Sequence, residues 1–503
     1  MDTLQSIGLG FSVILTPINL FYCFVGVFLG TLVGVLPGIG TAGCIAILLP
    51  FTFDLPAVTA IVMLAGIWYG GMYGGSTTSI LVNIPGEPCG VITCLDGYQM
   101  ARQGRAGRAL GIAAFGSFIA GTVGVVLLML LAPMIARFAL NFGPPEFFAL
   151  IFLGLTVSAY LSADSMLKGF AMAALGMIIG TIGQDPISGF FRFTFGNRQL
   201  FDGVGLVPLV MGLFGVAEVL INLEETFKRD IFKAHIDGLL PDKEDWKASA
   251  GPIARGTLLG FLIGILPGPG GVISSFVSYA VEKRRSKHQE RFGKGAIEGV
   301  AGPESANNAA SAGAFVTLFT FGIPSGSSMA LLLGAFLIHG VSPGPLLIQE
   351  HPEVFWGVIA SMYIGNIMLL ILNLPLIGMW VKLLRTPYGI LFPLILLFCL
   401  IGVYGNNNSL FDIMIMIFFG LIGYLMRKTK FEAAPLILAY VLCPIWEESF
   451  RRSLLISGGD LTVFFKRPIP VILFTIAFLF ILSSIFSSAK RKKLLERIGG
   501  GEN

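Results

Sequence analysis

The sequence is short of charge. Asp, Glu, Lys and Arg make up 12% of its 503 residues, where soluble proteins carry roughly 25%. A soluble globule of this length cannot cover its surface with so few charges, so that class is excluded. Histidine is scarce, with four in the chain, and the six cysteines (Cys23, Cys44, Cys89, Cys94, Cys399, Cys443) stand apart without a Cys-x-x-Cys pair. Neither a zinc site nor a disulfide framework follows from that spacing. No Lys or Arg precedes Arg102, so the N-terminus lacks the basic stretch of a cleaved signal peptide. There is no Gly-x-x-x-x-Gly-Lys-Ser/Thr loop, paired catalytic carboxylate, nucleophile elbow or metal triad. Those absences argue against an ATPase and against an enzyme of any kind. No basic face gathers for nucleic acid either.

What the chain has is apolar length. Hydrophobic residues make up 55%, and the mean hydropathy is +0.83. Taking about 20 apolar residues per span, residues 18–36, 109–136, 145–161, 166–184, 203–222, 354–381, 388–404, 411–427, 431–448 and 468–488 are expected to be membrane helices. Residues 1–17 are too short to cross before Pro17 and are expected to lie in the interface. The positive charges come in clusters, around Arg102–Arg108, Lys228–Lys233, Lys283–Lys294, Arg427–Lys430 and Lys490–Lys493. Basic loops between apolar spans mark the cytoplasmic side. Arg451, Arg452, Lys466 and Arg467 fall on the outer side in this scheme, against that trend.

Two apolar regions are interrupted by Gly, Pro and Asn, from Gly34 to Gly97 and from Gly264 to Gly344. Irregular backbone at membrane depth is tolerated only where it is buried in protein or lines a cavity. The two regions also repeat each other. Gly34-Val35-Leu36-Pro37-Gly38-Ile39-Gly40 matches Gly264-Ile265-Leu266-Pro267-Gly268-Pro269-Gly270, and Asn83-Ile84-Pro85-Gly86 is followed in the second half by Gly322-Ile323-Pro324-Ser325-Gly326. The reading is an all-α integral membrane protein of roughly 10–12 membrane segments, with two inverted-topology repeats that carry re-entrant hairpins and broken helices. The repeats span 18–222 and 252–448. A charged cytoplasmic linker, 223–251, joins them, and 449–503 adds a further span and a basic tail.

Candidate ligands sit at these breaks. Gly permits the sharp bend, and helix N-termini there offer free N–H groups to an anion. Pro37, Gly38, Gly40 and Thr41 form the first tip, and Pro267, Gly268, Gly270 and Gly271 the second. Ser76, Thr77, Asn83, Pro85 and Gly86 accompany the first; Asn307, Asn308, Ser311, Pro324, Ser325 and Ser327 accompany the second. Hydroxyls and amides suit carboxylate oxygens and hard cations alike, although they also bind helices to one another in membranes. Glu87 and Glu304, acids beside apolar segments, are coupling-ion candidates together with Thr78. Glu218, Asp164 and Asp185 lie near span ends and read as structural. His339 has no evident partner and reads as packed.

At these residues the chain resembles a known family. Gly34–Gly40, the run Trp68-Tyr69-Gly70-Gly71-Met72-Tyr73-Gly74-Gly75-Ser76-Thr77-Thr78-Ser79 continuing to Asn83-Ile84-Pro85-Gly86-Glu87-Pro88, the segment Gly302-Pro303-Glu304-Ser305-Ala306-Asn307-Asn308-Ala309-Ala310 and Gly322–Gly326 are similar to the large membrane subunit of tripartite tricarboxylate transporters. The resemblance implies a secondary transporter of the bacterial inner membrane for citrate and other carboxylates. It implies Na⁺ or H⁺ as coupling ion, a small transmembrane subunit and a periplasmic solute-binding protein as partners, and substrate contact at the two Pro-Gly loops. An anion channel and a non-translocating scaffold subunit are the alternatives.

Overall fold

A chain this apolar must satisfy its backbone internally, and in lipid the helix does so within a single segment. The computed structural model is accordingly helical, with one two-stranded ribbon among the described residues, Gly183–Gln184 (β1) against Phe191–Arg192 (β2). The structure describes residues 3–36, 40–160, 165–185, 187–224, 238–268, 270–383 and 388–499; Pro37, Gly38 and Asp164 lie outside them. Short turns aside, the first half contributes α1 (Thr3–Ile14), α2 (Pro17–Val35), α3 (Gly40–Leu48), α4 (Ala57–Val82), α5 (Val91–Arg102), α6 (Ala106–Ala139), α7 (Pro144–Tyr160), α8 (Met166–Gly180) and α9 (Leu206–Glu224). The second contributes α10 (Lys243–Gly264), α11 (Gly270–Arg285), α12 (Glu298–Phe321), α13 (Ser327–Ile338), α14 (Pro352–Asn373), α15 (Tyr388–Asn407), α16 (Leu410–Lys428), α17 (Ala433–Ile456) and α18 (Pro468–Gly499). Eight helices among the described residues are long and apolar enough to cross a membrane, and α7, α8 and α15 are shorter apolar ones. The protein is therefore an all-α, multi-pass membrane protein.

The chain divides into two compact units, and the larger comprises Met1–Ala139 and Gly205–Leu425. Two helix pairs organise it, and each depends on glycine at every fourth position. A methyl group on Gly26, Gly30 or Gly34 would sit 2.1, 2.5 and 2.5 Å from the carbonyl oxygens of Met63, Ile67 and Gly71. One on Gly256, Gly260 or Gly264 would sit 2.4, 2.1 and 2.4 Å from those of Gly302, Ala306 and Ala310. Both rows advance in the same direction, so α2 runs parallel to α4 and α10 parallel to α12. A parallel neighbour is reachable only if the chain first comes back. The short helices α3 and α11 lie in the chain between the members of each pair. Close approach through small residues is how helices gain packing energy where no hydrophobic drive exists between them.

The glycine-rich run 70–79 is not a break: α4 is continuous from Ala57 to Val82. Packing of Gly70 and Gly74 against the α2 backbone (2.8 Å to Val27 O and 2.3 Å to Thr31 O for an added methyl) removes the usual objection to glycine in a helix. The interruption comes one step later. Asn83 ends α4 in the left-handed conformation (φ 58°, ψ 29°), and Gly322 ends α12 in the same way (φ 66°, ψ 24°). Each is followed by Ile-Pro and a new short helix segment.

The smaller unit, Leu140–Val204 with Met426–Asn503, packs α7, α8, α17 and α18. Phe148 is its hub, with ring centroids 4.9 Å from Trp446, 5.1 Å from Phe450 and 4.9 Å from Phe464. The expected span 166–184 stops at Gly180, because Gly183 and Gln184 enter the ribbon. The four cations that run against the positive-inside trend all have carboxylate partners here: Arg451 with Asp185 (2.9 Å) and Glu447 (2.9 Å), Arg452 with Glu448 (2.7 Å), Lys466 with Asp460 (2.7 Å) and Arg467 with Glu146 (3.1 Å). The Ser188 hydroxyl, the Ile187 N–H and Arg451 together hold the Asp185 carboxyl far below the ordinary carboxylate range.

Candidate functional site

The sequence-predicted residues of the larger unit fall into three touching groups. The first surrounds Glu87. Its Oε1 accepts the Thr41 N–H at 2.6 Å, the first turn of α3. Gly40 lies 3.8 Å from the same oxygen, measured from where a methyl would be. Thr41 Oγ1 is 3.0 Å from Ser328 Oγ in the first turn of α13. Gly86 must be glycine, since a methyl there would meet Gly34 O at 1.8 Å. Thr78 Oγ1 donates to Gly75 O at 3.1 Å and Gly34 O at 3.4 Å, so it braces the tip from below.

The second group surrounds the other tip. A methyl on Gly326 would lie 3.5 Å from Gly268 O, and one on Gly271 would lie 4.0 Å from Cys89 Cβ. Ser274 and Ser275 bond back to Gly271 O at 2.9 Å each. Ser325 is buried, and its hydroxyl has no partner among the described residues.

The third group is a polar chain across α4, α5, α6 and α12. Glu304 is fully buried. Its carboxylate accepts Ser76 Oγ–H at 2.6 Å, Asn307 Nδ2–H at 3.3 Å and the Thr93 hydroxyl. Asn308 Nδ2 reaches Ser117 Oγ (2.8 Å), Asn307 Oδ1 (2.6 Å) and Glu304 O (3.0 Å). Ser311 closes onto Asn308 O at 2.7 Å, and its own carbonyl takes the Trp68 indole N–H at 3.2 Å. Among the described residues no Lys or Arg pairs with Glu304 or Glu87. Each buried carboxylate must therefore be protonated or sit beside a cation when function demands it, since an isolated buried charge is unfavourable.

Some expected residues play a different part. Asn83 is exposed and serves through its left-handed backbone. Pro85, Pro267 and Ser327 are partly buried at the breaks, and Pro324 is buried. His339 does have a partner: its Nε2 is 3.2 Å from Thr52 Oγ1, at the far end of the α3 arm. Sequence reasoning missed Thr93, Asp96, Asn366 and Asn373. Asp96 is buried in α5 and binds the second half. It accepts N–H groups of Gly293, Gly295 and Ala296 (2.9, 2.8 and 2.8 Å) and the Tyr279 hydroxyl (2.9 Å). Asn366 takes the Tyr73 hydroxyl on Oδ1 and donates to Phe118 O and Thr122 Oγ1, both at 2.9 Å. The available signal was polarity inside an apolar helix: Asn366 and Asn373 are seven residues apart on α14, hence on one face.

These features define a polytopic membrane protein with a buried polar centre of hydroxyls, amides and two carboxylates. The model of the tripartite tricarboxylate transporter TctA family matches residues 20–438, and the chain belongs to that family. Membership makes it the large membrane subunit of a transport system that also has a small membrane subunit and a periplasmic binding subunit. Two relatives come from Agrobacterium vitis. One, described as an uncharacterized 52.8 kDa protein in the TAR-I ttuC' 3' region, is 51% identical over 493 residues, 98% of each chain. The other, an uncharacterized protein in the TAR-II ttuC' 3' region, is 50% identical over 234 residues, 46% of this chain and 97% of its own. No solved structure matches.

Proposed function

We propose that the chain is the translocation subunit of a binding-protein-dependent secondary carrier in the bacterial inner membrane. It imports small organic anions, di- or tricarboxylates such as citrate, with Na⁺ or H⁺ as coupling ion. One observation carries this reading: the two motif sets clasp each other crosswise. The first tip meets α13 through Thr41 and Ser328; the α11 arm meets the first half at Cys89 and through Tyr279 and Asp96. The far end of α3 lies level with the end of α13 (Thr52 and His339), and the far end of α11 level with α5 (Tyr279 and Asp96). That correspondence supports two repeats in opposite orientation, with re-entrant arms, as in many secondary transporters.

Chemically, α3, α11 and α13 each begin beside these motifs, and the N-terminal turn of a helix favours anions. The segments 40–48, 76–87, 264–275 and 304–328 contain no Lys or Arg. Substrate charge is then balanced by helix dipoles and a co-transported cation instead of a fixed positive side chain. Glu304, held by Ser76, Thr93 and Asn307, is the coupling-ion residue of this scheme, and Glu87 guards the first tip. Movement of the tip helices against a scaffold, elevator-like, carries the site between faces.

The test is uptake of labelled carboxylates into proteoliposomes holding this chain and its small partner, with and without the binding protein and a Na⁺ or proton gradient. Concentrative uptake that needs both is expected. Ser76→Ala and Asn308→Ala should lower it at least tenfold while leaving the protein folded. Downhill flux indifferent to gradient and binding protein would replace the carrier with a channel.

A further inference from the structure

A second polar site lies beside Glu304 and shares Ser76 with it. Tyr73, Ser76 and Thr77 of α4, three apolar residues of α6 and Asn373 at the end of α14 enclose a cavity of ≈ 10 Å³, room for about one water molecule or one bare monovalent ion. Asn373 is 95% buried, its residue exposure being 5%. Its Nδ2 donates to Leu369 O at 2.9 Å, which fixes the amide orientation, because a flipped amide would set oxygen against oxygen. The other arm, Oδ1, has no donor among the described residues. A buried amide oxygen without a partner is disfavoured and calls for an occupant.

Two features separate the candidate occupants. First, the polar side chains at this cavity are Asn373 and the hydroxyl-bearing Tyr73, Ser76 and Thr77, which offer the hard-oxygen chemistry of alkali cations, with no thiolate or imidazole among them. Second, Ser76 donates its proton to Glu304 at 2.6 Å, so its lone pairs are what it can offer the cavity. A carboxylate without a basic partner thus stands one hydroxyl away from an orphan acceptor. A neutral water would satisfy the oxygen and leave the charge uncompensated; a monovalent cation does both.

We infer that the cavity between α4, α6 and α14 is a Na⁺ site, with Asn373 Oδ1, Ser76 Oγ and Thr77 as oxygen ligands and Glu304 as the balancing charge. The site rests on the carrier reading above for its purpose, since it names where the coupling ion sits. Its lining shares no residue with the Pro-Gly tips, so ion and substrate are linked through the Ser76–Glu304–Asn307 chain.

The experiment is binding of ²²Na⁺ to the purified full-length chain, alongside its melting temperature in NaCl, KCl and choline chloride. Wild type should bind Na⁺ saturably and melt higher in NaCl alone. Asn373→Leu removes the ligand without changing volume greatly; it should lose Na⁺ affinity at least tenfold, as ligand and near-ligand changes do. Its melting point in choline should match or exceed wild type, because an orphan acceptor has gone. Thr77→Val should weaken Na⁺ in the same direction. Undiminished ²²Na⁺ binding by folded Asn373→Leu, or no Na⁺ effect on wild type, overturns the site. Uptake measured in parallel separates the two readings: proton-driven carboxylate uptake without Na⁺ binding leaves the carrier standing and removes this site. Na⁺ binding without uptake of any carboxylate does the reverse.

Discussion

Replacing Asp96 tests how the two halves are tied at the end where α5, α11 and α12 meet. Its Oδ1 alone accepts three backbone N–H groups from residues 293–296, and Oδ2 takes the Tyr279 hydroxyl. Hydrogen bonds to a charged acceptor contribute about 1.5–3 kcal/mol each. Gly293 and Gly295 are partly exposed, so water can replace the carboxylate there. Ala296 N–H and the Tyr279 hydroxyl are buried and lose their partner outright. Counting only those two, Asp96→Ala should weaken docking of the 293–296 segment by about 3 kcal/mol. That corresponds to roughly a hundredfold rise in local opening. Hydrogen exchange of the peptide covering 293–299, measured by mass spectrometry on detergent-purified protein, reads that opening directly. Asp96→Asn keeps one carbonyl oxygen and should rise about tenfold, and Tyr279→Phe by a similar factor. Exchange in Asp96→Ala within threefold of wild type would refute the reasoning, because the amides would then be protected by something other than this carboxylate.

Further outcomes follow from other contacts. Gly260→Ala would force a methyl to 2.1 Å of Ala306 O, whereas Gly405→Ala meets nothing within 4 Å. Size-exclusion of tagged protein should show the first aggregated or strongly destabilised, by about 3 kcal/mol or more, and the second unchanged; equal behaviour would remove the glycine rows as the source of helix pairing. The Asp185 carboxyl is depressed below its unfolded value by Ser188, Ile187 N–H and Arg451. Its stabilising effect is therefore present above the unfolded carboxylate range, about pH 3.9, and is lost as pH falls through the folded value. Melting midpoints between pH 3 and 7 should drop more steeply below about pH 4 in wild type than in Asp185→Asn; parallel curves would show that the ribbon does not depend on this group. Glu304→Gln should abolish gradient-driven uptake while Glu304→Asp retains part of it, measured in the same vesicles; full activity of the Gln variant would remove Glu304 from coupling.

Most of the helical architecture was legible because apolar length is a strong signal. The Asn-Ile-Pro and Gly-Ile-Pro motifs located the ends of α4 and α12, since Gly and Pro act on their own backbone whatever surrounds them. Three kinds of feature were not legible. The continuity of α4 through Gly70–Gly75 depends on a neighbour, α2, that no local rule supplies. The roles of Thr93, Asp96 and Asn373 depend on which helix faces which. Arg451 and Arg467 looked misplaced because two of their partners, Asp185 and Glu146, are 266 and 321 residues away. Glu304 stood out as an intramembrane acid, whereas its three donors come from α4, α5 and α12 and could not be paired from sequence.

The crosswise clasp also bears on how the protein is made. Thr41 cannot meet Ser328 until 287 further residues have been synthesised. At about 5–20 residues per second, that is roughly 15–60 s. Throughout that interval the first tip, with Glu87 and the end of α4, sits in or near the bilayer without the surface that later covers it. Nascent chains must therefore shelter a half-formed polar cleft, in the insertion machinery or against the small partner subunit. A truncated first half should be a substrate for membrane proteases, not a stable membrane protein in its own right.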